Sequence, residues 1–114
     1  MLEKRKFIRL KAPLGVVYRV LRKPKRSKPQ VSFIKDISGA GVCLSCKEEL
    51  RHGELIQMEI QIPHLSEPVH AVGEVVWSSK RTEQEHRDVG VRFRDVQPKS
   101  LSRILEYVYA IAIG

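Results

Sequence analysis

The feature that most constrains this chain is strict alternation of apolar and polar residues over several short segments. Between residues 55 and 62, Ile56, Met58, Ile60 and Ile62 alternate with Gln57, Glu59 and Gln61. A period of two puts every second side chain on one face, so the segment predicts a strand with one dry and one wet side. The pattern recurs over 69–78, where Val69, Ala71, Gly73, Val75 and Trp77 share one register, and Pro63 and Pro68 flank the turn between the two strands. Residues 88–93 place Val89, Val91 and Phe93 on one face.

Upstream, β-branched and aromatic residues predict strands over 15–21 and 30–37, joined across the basic stretch 22–29, and a further strand over 39–46 follows a turn at 38–41. The last segment changes period. After Pro98, Leu101, Ile104, Leu105, Val108 and Ala112 recur at spacings of three and four, which predicts an amphipathic helix over about 98–112 packed on the sheet. Six strands and one terminal helix imply a mainly β fold, a six-stranded antiparallel barrel capped by the helix. At 114 residues the chain is one domain, long enough to bury roughly two thirds of the surface its unfolded form exposes. Its organisation reads as a basic N-terminal arm over 1–11 and a barrel domain over 12–114.

Apolar runs are only a few residues long and the first ten residues are interrupted by charge, so neither a spanning helix nor a secretory leader is expected, and the chain reads as cytoplasmic. Cys43 and Cys46 suit a reducing compartment. Their CxxC spacing has no second pair to complete a zinc site, and a strand sends positions i and i+3 to opposite faces, so both read as small apolar fillers. His52, His64, His70 and His86 lie on separate turns and strands without metal spacing, and no nucleophile elbow is present. Neither enzymatic activity nor a metal or cofactor is expected.

Charge is more informative. Residues 1–30 hold 11 of the 21 Lys and Arg and a single acid, Glu3, while the remaining 84 residues are close to balanced. A localised cationic arm on a near-neutral body points to an anionic partner: nucleic acid, a phosphorylated ligand or a membrane surface. Within it Arg5 and Arg9 are four apart, separated by Lys6, Phe7 and Ile8. Each guanidinium is a planar fork that grips a phosphate or bonds O6 and N7 of guanine, and its face stacks on a base. Downstream, Asp36, Ser38 and Gly41 fall where one strand ends and the next begins. These residues build turns, Asp and Ser by bonding the local backbone and Gly41 by permitting a positive φ. They also suit a ligand: Asp36 accepts from the N1 and N2 donors of guanine, Ser38 adds a neutral bond, and Gly41 admits close approach.

Arg5-Lys6-Phe7-Ile8-Arg9 followed by Asp36-Ile37-Ser38-Gly39-Ala40-Gly41 resembles the RxxxR and [D/N]xSxxG motifs of the PilZ domain, a family of bacterial cyclic di-GMP receptors. Gly73-Glu74-Val75-Val76-Trp77 and Val89-Gly90-Val91-Arg92-Phe93 resemble its last two barrel strands, so the likeness covers nearly the whole chain. It implies a non-catalytic receptor whose arm folds over the dinucleotide, with Arg5, Arg9, Asp36, Ser38 and Gly41 as ligand residues and an unidentified downstream protein as partner. Lys4 stands where many members have another arginine. Trp77 and Arg92 are additional candidates, although Trp77 shares the inward register of Val75 and reads first as a core aromatic, and Arg92 reads equally as surface charge. The competing reading is a small basic barrel that binds RNA or single-stranded DNA through Arg22, Lys23, Lys25, Arg26 and Lys28. With three Phe, three Tyr and one Trp, the chain is poor in the aromatic platform such binding uses, so nucleic acid ranks second.

Overall fold

The computed structural model describes residues 8–22, 27–79 and 86–113. Six strands, β1 (Leu10–Val20), β2 (Gln30–Ile37), β3 (Gly41–Cys46), β4 (Leu55–Ile60), β5 (Val69–Ser78) and β6 (Arg87–Asp95), are followed by one helix, α1 (Pro98–Ile113). The strands close into an antiparallel barrel in the order β1-β2-β3-β6-β5-β4, sealed by pairing of β4 with β1. Closure removes the unpaired sheet edges that an open six-stranded sheet would expose.

The alternating residues do what their period requires. Ile56, Met58 and Ile60 of β4 and Val75 of β5 are wholly buried in the barrel interior. β1 begins at Leu10, five residues before the strand expected from 15. Its first half contains Pro13, which has no N–H for the ladder, and the pairing with β2 shifts between Lys11 and Leu14 to accommodate it. β3 starts at Gly41 because residues 38–40 form the tight connection from β2, closed by the Ser38 N–H donating to the Gly41 carbonyl at 2.9 Å.

At α1 the Leu101 N–H donates to the Gln97 carbonyl, and Pro98 sits in the first turn, where its missing N–H costs nothing. Ile104 and Val108 are buried against the barrel. The expected contact of Ala112 is not made: the helix outruns the barrel wall, and Ala112 is exposed together with Ile111 and Ile113.

Candidate functional site

The β2–β3 connection sets the position of everything around it. Ser38 is buried, and its hydroxyl accepts from the Ala40 N–H at 3.1 Å and donates to the Gly41 carbonyl at 3.5 Å. Its hydrogen bonds therefore hold the turn. Gly41 is needed for a different reason from the one its turn position suggests. It has no positive φ, a conformation that among the described glycines belongs to Gly53. Instead, a Cβ at Gly41 would lie 2.0 Å from the Val91 carbonyl oxygen, so glycine is what lets β6 pass this close to β3.

Asp36 faces outward on β2, where Arg9, immediately before β1, donates through Nη1 to its Oδ1. The fold thus joins the two motifs across 27 residues of sequence. A register shift between Ile34 and Asp36 is the reason Asp36 points out: it inserts Lys35 into the strand, so Ile34 and Ile37 both face the core while Lys35 and Asp36 stand side by side on the outer wall. Lys35 reaches over β3 and donates to Asp88 of β6 at 2.8 Å, which raises the Lys35 pKa through that hydrogen bond.

Between these two ion pairs lies Cys43, opposite Asp36 on one side and Gly90 on the other. Burial pushes its thiol up to about 11, and Asp36 and Asp88 push the same way against the opposing pull of Lys35 and Arg9. At neutral pH it is a protonated, apolar floor, unsuited to nucleophilic chemistry. Cys46 belongs to the interior cluster and is likewise raised to about 11, first by burial.

Trp77 corrects the expectation of a core aromatic. β5 is bulged between Val75 and Trp77, so Val75 lies opposite Val91 and Trp77 opposite Gly90, and the extra residue throws the indole to the outer wall, where it is 48% exposed. The ring lies against Gly90: a Cβ there would meet Trp77 Nε1 at 2.0 Å. Asp36, Cys43, Gly90 and Trp77 consequently form one row across β2, β3, β6 and β5, three strand spacings or roughly 14 Å wide. Arg92 flanks the row, opposite Gly41, and its side chain is directed toward Glu74 at 3.5 Å. Arg94 also donates to Glu74, whose pKa falls chiefly through that bond.

Arg5 and Lys4 lie outside the described residues, as do Lys23, Lys25 and Arg26 of the basic β1–β2 connection. Of that connection Arg22 is held by Glu54, at 2.7 and 3.3 Å. Along the row Trp77 is exposed at one end, and Arg9, paired with Asp36, is exposed at the other. A groove of about 310 Å³ between β4, β5 and the start of α1 is lined by Gln57, His70, Asp95 and Ser100 among others, with no Lys or Arg. No group of three or more His, Cys, Asp or Glu suited to a metal occurs among the described residues, and no helix there is long and apolar enough to cross a membrane.

A closed six-stranded barrel with a terminal helix, and an arginine ahead of β1 paired to an acid near the end of β2, define a small β-barrel domain. A comparison with protein families identifies it further: the PilZ domain matches residues 3–110, and the chain belongs to that family. Solved structures share the fold at low identity. The Bacillus subtilis inhibitor of motility (MotI/DgrA) matches with a TM-score of 0.80 and 16% identity over 98% of this chain and 53% of its own. The PilZ domain of Escherichia coli YcgR with c-di-GMP matches with a TM-score of 0.67 and 14% identity, covering 96% and 92% of the two chains. The complex of Klebsiella pneumoniae MrkH with c-di-GMP gives 0.73 and 16%, covering 98% and 53%. This chain therefore spans about half the length of the first and third of these proteins. No curated protein matches its sequence.

Proposed function

We propose that this chain is a receptor for cyclic di-GMP, bound on the outer wall of the barrel over the row from Asp36 to Trp77. The observation that carries the reading is the pairing of Arg9 with Asp36, which sets one residue of each sequence motif side by side on the barrel wall. Structural neighbours solved with c-di-GMP support the choice of ligand. Asp36 accepts from N1 and N2 of a guanine, Arg9 turns from Asp36 to a phosphate, and Trp77 offers an aromatic face to a base. Ser38 and Gly41 act by holding the connection and letting β6 approach.

Arg5 joins Arg9 from the basic arm, which ends where β1 begins at Leu10, with Lys4 adding charge. The dinucleotide's two phosphates offset the mutual repulsion of Lys4, Arg5, Lys6, Arg9 and Lys11, so binding holds the arm against the barrel and creates a surface of arm, ligand and barrel edge for a downstream protein. Calorimetric titration with cyclic di-GMP, with GTP and a single-stranded oligonucleotide as controls, tests the reading. Saturable binding of the dinucleotide alone is expected. Binding of the oligonucleotide in its place refutes the reading.

A further inference from the structure

The outer wall carries a second acid and cation arranged like the first. Lys35 and Asp36 are sequence neighbours that an unbroken strand would send to opposite faces, yet the bulge after Ile34 turns both outward. They then diverge. Asp36 takes Arg9 on the β1 side, whereas Lys35 crosses β3 to Asp88. Cys43 lies beneath the middle of the group, and all four charges act on its thiol, two from each sign. Asp88 is held on a firm backbone: its N–H donates to Ser79 Oγ at 2.8 Å and its carbonyl accepts from the Ser79 N–H at 2.8 Å. The side chains of Asp36 and Asp88 remain 19% and 33% exposed, so both acids are open to a ligand.

We propose that Lys35 and Asp88 form a second ligand-reading half-site, the counterpart of Arg9 and Asp36 across Cys43, in which Asp88 reads the second guanine of a cyclic dinucleotide and Lys35 a phosphate. The inference rests on the cyclic di-GMP reading above. A cyclic dinucleotide with two identical bases repeats each recognition element, and the wall offers two acids and two cations in matching pairs. Each carboxylate is paired with its own cation, Asp36 with Arg9 and Asp88 with Lys35. On binding, guanine N–H donors replace the cation at the acid and a phosphate replaces the acid at the cation, so no charged group loses its partner in the exchange. Adenine presents a ring-nitrogen lone pair where guanine presents the N1–H, and that lone pair would face the carboxylate.

The test compares cyclic di-GMP with the mixed 3′,3′ cyclic GMP–AMP dinucleotide by calorimetry on the whole chain. The wild type is expected to prefer cyclic di-GMP on the order of tenfold to a hundredfold, because the mixed ligand satisfies only one acid. Asp88→Ala is expected to lose affinity for cyclic di-GMP and to bring the two ligands within about twofold, with its melting temperature as the check on folding. Lys35→Met is expected to weaken both ligands alike and keep the preference. A wild type that binds neither dinucleotide overturns the receptor reading itself. A wild type that prefers cyclic di-GMP, with a folded Asp88→Ala that keeps the same preference, overturns the second half-site alone.

Discussion

Two glycines on the outer wall separate the roles of scaffold and site. At Gly41 an added Cβ would stand 2.0 Å from the Val91 carbonyl oxygen and 3.0 Å from Arg92 Cα, against 3.4–4 Å for ordinary contact. Both obstacles are backbone, so Gly41→Ala must push β6 away from β3 and loosen their ladder. A cost at the upper end of the usual overpacking range of about 1–3 kcal/mol is expected, which at about 4 °C per kcal/mol lowers the melting temperature on the order of 10 °C. At Gly90 the obstacles are Trp77 Nε1 at 2.0 Å, Cε2 at 2.3 Å and Cδ1 at 2.5 Å. A half-exposed side chain can swing off the wall, so Gly90→Ala is expected to cost under about 1 kcal/mol, part of it offset by the lower chain entropy of alanine in the unfolded state. The indole then leaves the row. If Trp77 stacks on a base, cyclic di-GMP affinity falls by about 1–3 kcal/mol. Thermal melting by circular dichroism and calorimetric titration read the two effects separately. A Gly90→Ala variant that melts as low as Gly41→Ala, or binds as tightly as the wild type, refutes the assignment.

Arg9→Ala is expected to weaken cyclic di-GMP binding by about 1.5–3 kcal/mol with little change in melting, since its side chain is half exposed, and unchanged affinity by calorimetry removes it from the site. Asp36→Ala is expected to lose more affinity for guanine than for adenine dinucleotides, and equal losses would assign Asp36 to its turn alone. Glu54 is held below its ordinary value of 4.5, first by the hydrogen bond from Arg22. Its contribution to stability is therefore complete above about pH 4.5 and lost as pH falls through the lowered value, and Glu54→Gln should flatten the acid limb of a melting-temperature profile over that window. Ile104→Ala, which empties a fully buried position between α1 and the barrel, should cost about 2–5 kcal/mol by denaturant unfolding.

Period-two alternation was enough to read the barrel because each strand has one face in a single core, and the ends of β2 and β5 fall where the pattern places them. The pairings of β3 with β6 and of β1 with β4 join segments distant in sequence, and alternation carries no signal for them. The misreadings of which face a strand residue takes occur at bulges. Trp77 follows Val75 at an interval of two, but the extra residue inverts the face, and composition alone does not reveal that. At β2 a signal was present: Ile34 and Ile37 are both apolar at a spacing of three inside a period-two strand, which marks a bulge and would have drawn attention to Lys35. Asp88 and Cys43 come next to the candidate site only through cross-strand register. Gly41 was legible as a required glycine, yet the requirement comes from the β6 backbone and not from its own dihedrals.

The most direct test of the central claim is a residue-resolved amide titration with cyclic di-GMP, with the indole N–H of the single tryptophan followed in the same spectra. Saturable shifts concentrated at Arg9, Asp36, Cys43, Gly90 and the Trp77 indole are expected. Shifts confined to the groove of Gln57, His70 and Asp95, or no shift at saturating ligand, would contradict it.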